Sequence, residues 1–317
     1  MLNKGKISII LRFVVSFGLL VALIWIMRKD AKSIWAILKN SNKIFFIVGL
    51  AINIPLAIAL AYRLKLLMSG QKIKLPMNDA IYLTFIGYFF NNFLPTAIGG
   101  DIAKAYYASK QTNNKAASYA AVLIDRILGF ISTLLIAVIG IVFIWKEMNN
   151  GFIVWLVLMT FILSLICMFF LLKKKAGDAQ ITANNSGLVS NIKEKISKLY
   201  TAINLYRDSS GILIKAIILS LILQSMSILS IYFFALSIGG GIHLLRLFLI
   251  IPLVWAVSML PSLNGLGVRE GAFIYFLKSH IGTEKAFALS LLWLGMIMLY
   301  SAVGGIFHLL YPVKAKT

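Results

Sequence analysis

The 317-residue chain is 60% apolar and only 13% charged, against roughly 45–50% and about 25% in soluble domains, which excludes an ordinary water-soluble fold. Its 31 Lys plus Arg outnumber 10 Asp plus Glu, but these charges fall in the connections between long apolar runs, where the positive-inside bias puts them. No basic, aromatic-studded soluble segment offers a nucleic-acid platform.

Lys4 and Lys6 precede the apolar stretch from Ile7 to Met27. That stretch is long for a signal peptide and no small-residue cleavage site follows it, so it reads as a retained first span. Ile44 to Tyr62 is a second span, carrying Asn53 and Pro55. Ala80 to Leu94 is shorter and runs into Pro95, Gly99 and Gly100. Ile127 to Trp145 and Phe152 to Leu172 follow as spans, the latter holding Cys167, the single cysteine. One cysteine gives no disulfide framework and no thiolate metal site. Residues 173–211 form a polar connection, expected to be cytoplasmic, in which Leu188, Ile192, Ile196, Leu199 and Ile203 recur at helical spacing. With Lys195 and Lys198 among its polar positions, this segment predicts an amphipathic helix on the membrane surface. Ile212 to Leu236 is the next span, with Gln224, Ser225 and Ser227 inside it; Leu247 to Leu260 is again short and ends in Pro and Gly; Phe287 to Tyr311 is the last span. Polar groups such as Asn53 and Gln224 more often join membrane helices than touch a ligand. The prediction is an all-α polytopic membrane protein with eight apolar segments in a single transmembrane domain.

The chain repeats itself. Placing Leu94-Pro95 on Leu260-Pro261, an offset of 166 residues, also brings Gly99 onto Gly265 and sets Gly100-Asp101 close to Gly267 and Arg269-Glu270. The halves run from about 44 to 145 and from about 212 to 311. Each holds a short apolar segment, a Leu-Pro break, glycines and then charge. Paired Gly/Pro-interrupted segments in corresponding places point to a transporter-like binding site. The residues after each break are too polar for a lipid-facing span, so both segments read as re-entrant hairpins, leaving six full spans and cytoplasmic termini. Three spans then separate the hairpins, which inverts the second repeat. Basic residues alone do not decide between six and eight full spans, and Arg28, Lys29, Lys32, Lys39 and Lys43 would face outside in the six-span arrangement.

Pro95 and the following glycines stop the helix from Ala80, and Asp101 stands where an N-cap would start the next helix, with its exposed N–H groups and positive dipole end. In the second copy Pro261, Ser262, Asn264, Gly265 and Gly267 precede Arg269 and Glu270. Arg269 is placed to pair with Glu270 or Asp101, or to hold a phosphate by two parallel hydrogen bonds. Charges at membrane depth are costly and mark function by default, although such residues also snorkel at interfaces. Asp125-Arg126, just ahead of the span at Ile127, reads either as a functional pair or as an interfacial anchor. Asn91 and Asn92 line the cavity or satisfy backbone groups freed at the break. His243, His280 and His308 lack metal-ligand spacing, and no GxSxG, Walker loop or HExxH occurs.

The run Phe90-Asn91-Asn92-Phe93-Leu94-Pro95-Thr96-Ala97-Ile98-Gly99-Gly100-Asp101, then Tyr106, Asp125-Arg126, and Leu260-Pro261 through Gly265-Leu266-Gly267-Val268-Arg269-Glu270-Gly271, together resemble the flippase-like family of the transmembrane region of lysylphosphatidylglycerol synthase, the multiple peptide resistance factor. The resemblance covers nearly the whole sequence. It implies a cell-membrane unit that moves or presents a lipid, and its motifs carry over to Asn92, Pro95, Gly99, Gly100, Asp101, Tyr106, Asp125, Arg126, Pro261, Asn264, Gly265, Gly267, Arg269 and Glu270 as a substrate site. The soluble aminoacyl-transfer domain of the full synthases has no counterpart in these residues, so lysyl transfer is not implied. Related regions also occur in proteins handling polyprenyl-phosphate sugars, which leaves the headgroup open between anionic phospholipid and polyprenyl phosphate.

The leading expectation is a lipid translocase without cofactor or metal, its partners membrane lipids with anionic headgroups and no nucleic acid. The alternatives are a membrane transferase using Asp101, Asp125 or Glu270 as base, and a non-catalytic partner of a separately encoded glycosyl- or aminoacyltransferase.

Overall fold

A computed structural model describes residues 27–93, 99–112, 114–144, 151–173, 199–258 and 264–310, with isolated positions between 18 and 25. Every regular element among them is helical. A short amphipathic helix, α1 (Ala31–Lys39), precedes two matching series. The first is α2 (Lys43–Gly70), α3 (Met77–Phe93), α4 (Gly99–Thr112) and α5 (Lys115–Ile144); the second is α7 (Ser210–Ser237), α8 (Leu244–Ser258), α9 (Val268–Ile281) and α10 (Thr283–Leu310). Between them stands α6 (Gly151–Lys173). Each helix of the second series begins 167 to 169 residues after its counterpart, so the repeat seen at the two breaks extends through whole helices.

The long members α2, α5, α7 and α10 are each long and apolar enough to cross a membrane. The short ones are not: at about 1.5 Å per residue the 17 residues of α3 span about 25 Å, and the 15 of α8 about 22 Å, below the ~30 Å hydrocarbon core. Two of the expected spans come out longer than their apolar runs. α2 continues eight residues past Tyr62 to Gly70, and α5 starts at Lys115 rather than Ile127. In both, charged residues lie inside the helix because they pair with one another instead of meeting lipid. Most of the expected first span, and residues 174–198 of the polar connection, lie outside the described residues. The described end of that connection is no free surface helix: Ala202, Ile203 and Tyr206 are buried, and the Tyr206 hydroxyl donates to the Leu67 carbonyl at 2.6 Å.

Short and long helices pair within and across the halves. α4 folds back on α3, since Gly100 at its start lies against Gly87 and Asn91. α8 and α9 run antiparallel, with Ser258 beside Gly265 and Arg246 beside His280. Each pair is therefore a helical hairpin. α3 packs on α10 of the other half through Phe85, Tyr88 and Phe89, and α8 packs reciprocally on α5, where Gly140 lets the α8 backbone at Phe248 and Leu249 approach.

The central seam is α2 against α7, antiparallel along their whole length. The Asn42 N–H donates to the Ser237 carbonyl at 2.7 Å, Asn53 Nδ2 to Ser230 Oγ at 2.7 Å, and Arg63 Nη1 to Ser220 Oγ at 2.8 Å. At an offset of 167, Asn53 corresponds to Ser220 and Arg63 to Ser230, so the last two bonds are one symmetric contact seen from either side. Two large apolar cores result, one built mainly on α2 to α5 and joined by Met168, Leu213 and Ala216, the other mainly on α7 to α10 and joined by Ile34 and Ile136.

Candidate functional site

The hairpin tips build the site. At the first, Leu94 to Ile98, with Pro95, lie outside the described residues. α4 then opens at Gly99, three positions earlier than an Asp101 cap requires, and Asp101 falls in the first turn. Its carboxylate turns to basic partners, while the Gly100 N–H donates to Asn91 Oδ1 at 2.8 Å. A methyl on Gly100 would overlap the Gly87 carbonyl oxygen, so the arms touch backbone to backbone there.

At the second tip, Pro261 lies outside the described residues. Asn264 (φ 47°), Gly265 (φ 77°) and Gly267 (φ 80°) carry the chain through left-handed geometry that asparagine and glycine tolerate best. α9 starts at Val268, and Glu270 reaches back so that its Oε2 accepts the Gly267 N–H at 2.6 Å. Its other oxygen accepts from Arg269 Nε at 3.1 Å and Nη2 at 2.6 Å. Of the two partners expected for Arg269, the structure gives Glu270. Both side chains are buried, at 5% and 0% exposure.

The tips meet: Asn264 Nδ2 donates to Asn92 Oδ1. Asn92 Nδ2 is itself buried with no hydrogen-bond partner among the described residues. Behind the first tip lies a chain of charges. Arg126 pairs with Asp101, Lys104 sits 3.8 Å from both Asp101 and Asp125, and Asp125 Oδ1 accepts from Arg63 Nε at 2.6 Å. Side-chain exposure falls along this chain from 33% at Arg126 to 8% at Arg63. Asp125 and Arg126 therefore sit well inside α5, with Asp125 buried.

Two cavities with walls in common open beside these groups. The larger, about 810 Å³, is lined by Asn91 and Arg126 from the first half and by Ser258, Asn264, Gly265 and Arg269 from the second. Thr160, Leu163, Ser164 and Cys167 of α6 form its outer side. The smaller, about 220 Å³, lies toward the α2–α7 seam and includes Asn53, Arg63, Ser227 and Tyr300. Tyr88, Gln224, Trp255, Trp293 and Ile297 line both.

The structure thus brings Arg126, Asn264, Gly265 and Arg269 to one cavity, with Asp101 holding Arg126, Asn92 holding Asn264 and Glu270 holding Arg269, while Asp125 holds Arg63 and Lys104. Tyr106 does not join them. It is 45% exposed, its ring lies under Lys110 Nζ at 4.8 Å, and it is absent from the lining of both cavities. Sequence reasoning missed Arg63, Lys104, Trp255 and Trp293. Among the described residues no group of three His, Cys, Asp or Glu is placed to hold a metal. Two cations flanked by amides and backed by tryptophans can hold a phosphate-bearing headgroup, and the α6 side is apolar enough for hydrocarbon.

The sequence profile of a family described as the lysylphosphatidylglycerol synthase TM region matches residues 9–304. A UPF0104 membrane protein of Pyrococcus horikoshii is 26% identical over 271 residues, covering 78% of this chain and 81% of that protein. No solved structure matches the chain.

Proposed function

The chain belongs to the lysylphosphatidylglycerol synthase transmembrane region family and is a multi-pass membrane protein, and from that premise we propose that it is a lipid translocase of the cell membrane. The headgroup, an anionic phospholipid or polyprenyl phosphate, enters the larger cavity between Arg126 and Arg269 while its chains stay on the apolar side along α6. The observation that carries this reading is that cavity, where one arginine from each half faces the same space.

The seam supports an inverted repeat. α2 and α7 occupy the same place in their halves yet run antiparallel, so if both cross the bilayer the halves have opposite orientation, the architecture of alternating-access carriers. Hairpin arms too short to span support re-entrance, giving six spans with both termini cytoplasmic. With no nucleotide-binding motif in the sequence, movement is passive or coupled to ions or voltage. Transport is favoured over transfer because Asp101, Asp125 and Glu270, the carboxylates a transferase would use as base, are all held by cations.

The test is movement of acyl-labelled phosphatidylglycerol in proteoliposomes, read by quenching of the outer leaflet. The parent protein should move it well above the rate of empty vesicles, and Arg126→Gln should slow it at least ten-fold, since a charge-assisted phosphate contact contributes about 1.5–3 kcal/mol. A neutral diacylglycerol probe should be unaffected by the substitution. A parent protein that moves neither phosphatidylglycerol nor a polyprenyl phosphate faster than empty vesicles removes the reading.

A further inference from the structure

Polar side chains from four helices stand in the wall that the two cavities share: Tyr88 of α3, Gln224 of α7, Trp255 of α8 and Trp293 of α10. Ser227, three residues beyond Gln224, joins them at the smaller cavity. Tyrosine hydroxyls and tryptophan N–H groups inside a protein ordinarily find a hydrogen-bond partner. Here the hydroxyls of Tyr88 and Ser227 and the indole N–H groups of Trp255 and Trp293 have none among the described residues, and none of these atoms is sealed in packing. The neighbouring Asn53 and Tyr300 differ, being already engaged: Asn53 Nδ2 donates to the Gly49 carbonyl and to Ser230 Oγ, and the Tyr300 hydroxyl to the Asn53 carbonyl, each at 2.7 Å.

An acceptor stands among these donors, and its neighbours fix which way it turns. Thr133 Oγ1 gives its proton to the Gly129 carbonyl at 2.9 Å, so toward Gln224 it can only accept, as the carbonyl does. Gln224 therefore directs Nε2 to both, at 2.7 Å and 3.3 Å, which leaves its Oε1 free to accept. A ligand that displaces water from such groups must replace its hydrogen bonds. An ionised phosphate only accepts and an ammonium only donates, whereas a hydroxyl does both. Phosphate would set its lone pairs against Gln224 Oε1. An ammonium would leave the four donors without acceptors, and no Asp or Glu is among the residues lining either cavity. Hydroxyl groups meet the whole set. At about 220 Å³ the smaller cavity is below the ~300–1,000 Å³ of sites that enclose whole ligands, so it admits a polar headgroup and no acyl chain.

We propose that this shared wall reads the hydroxyl groups of the lipid headgroup and selects a polyhydroxylated one, a glycerol or a cyclic polyol, over one that ends in alkyl or ammonium. The proposal rests on the translocase reading and deepens it: Arg126 and Arg269 hold the phosphate, and Tyr88, Gln224, Ser227, Trp255 and Trp293 test what the phosphate carries. A site built to hydrogen-bond a hydroxyl rejects the analogue that lacks it, because its own polar groups are then left unpaired.

The experiment compares acyl-labelled lipids with the same chains in proteoliposomes. Phosphatidylglycerol and phosphatidylinositol carry hydroxyls, phosphatidylethanol has the same phosphodiester charge and none, and phosphatidylethanolamine ends in an ammonium. The parent should move phosphatidylglycerol or phosphatidylinositol about ten-fold or more faster than phosphatidylethanol and phosphatidylethanolamine, and the faster of the first two tells glycerol from ring. Gln224→Leu removes the acceptor, and Trp293→Phe keeps a ring while removing its N–H. Ser227→Ala is the smallest change and decides the matter if the other two do not fold. Each folded variant should lower the ratio of the hydroxylated lipid to phosphatidylethanol by about three-fold or more, a ratio that general loosening of the fold would not move. Phosphatidylethanol or phosphatidylethanolamine moved as fast as the hydroxylated lipids, an unchanged ratio in every folded variant, or movement of a bare polyprenyl phosphate alone overturns the proposal and leaves the translocase reading intact. A parent that moves none of these lipids faster than empty vesicles removes instead the reading on which the proposal rests.

Discussion

Glu270→Ala is expected to destabilise the detergent-solubilised protein more than alanine at any other carboxylate of the site. The side chain is fully buried and holds Arg269 Nε and Nη2 with one oxygen and the Gly267 N–H with the other. Its removal strands a guanidinium that is itself only 5% exposed, a loss of about 3–5 kcal/mol for a broken buried pair, and leaves the start of α9 without its acceptor, about 1 kcal/mol more. Arg269→Ala strands the carboxylate and should cost about as much, so loss of transport in that variant reports folding as well as binding. Glu270→Gln keeps acceptor geometry for the Gly267 N–H and should fall between. Asp101→Ala breaks a pair whose members are 20% and 33% exposed, where solvent screening limits the effect to about 1 kcal/mol. Thermal unfolding followed by tryptophan fluorescence gives the order directly. If Asp101→Ala melts as low as Glu270→Ala, burial is not what sets the strength of these pairs.

Two glycines nine residues apart on α10 should behave oppositely. A methyl on Gly304 would stand 2.8 Å from the Phe85 carbonyl carbon, closer still to its oxygen, and 3.0 Å from Phe89 Cβ. Since the obstacle is backbone of α3, no rotamer change relieves it. Gly304→Ala must push α3 and α10 apart, at a cost of about 1–3 kcal/mol or more, along a seam that joins the two halves. A methyl on Gly295 meets nothing within 4 Å, and Gly295→Ala should be neutral or stabilise by up to about 1 kcal/mol through helix propensity. Elution profile after heating and transport rate together check the pair. A Gly304→Ala protein as monodisperse and active as the Gly295→Ala protein would mean that α3 and α10 are not packed this closely.

The apolar runs and the internal offset were readable because they are written in hydropathy and in Gly/Pro punctuation, and the helix starts repeat at nearly the offset seen at the Leu-Pro breaks. Arg269 and Glu270 were readable as a charged pair beside a break. Arg63 was not, since a hydropathy reading ends a span at its first charge and therefore stopped at Tyr62, whereas a paired arginine can lie well inside a helix. The same habit placed Asp125 and Arg126 at a helix entrance they do not occupy. Asp101 was misassigned as a cap because the two glycines before it look like loop, yet they are the first turn of α4. Trp255 and Trp293 carry no sequence signal apart from their apolar neighbours, and only the packing of α8 and α10 turns them toward the same space.

The two halves share a scaffold and differ in what it carries. Where the first half holds Arg63, Lys104, Asp125 and Arg126, the corresponding positions of the second hold Ser230, Phe273, Trp293 and Leu294. Two electrically identical halves of opposite orientation would give two end states of equal energy. The charged network belongs to one half alone, and on the translocase reading proposed above a membrane voltage acts on it unequally, contributing about 2.3 kcal/mol per elementary charge moved through 100 mV. Matching helices that carry charge on one side only make the two halves unequal partners in any voltage-dependent step.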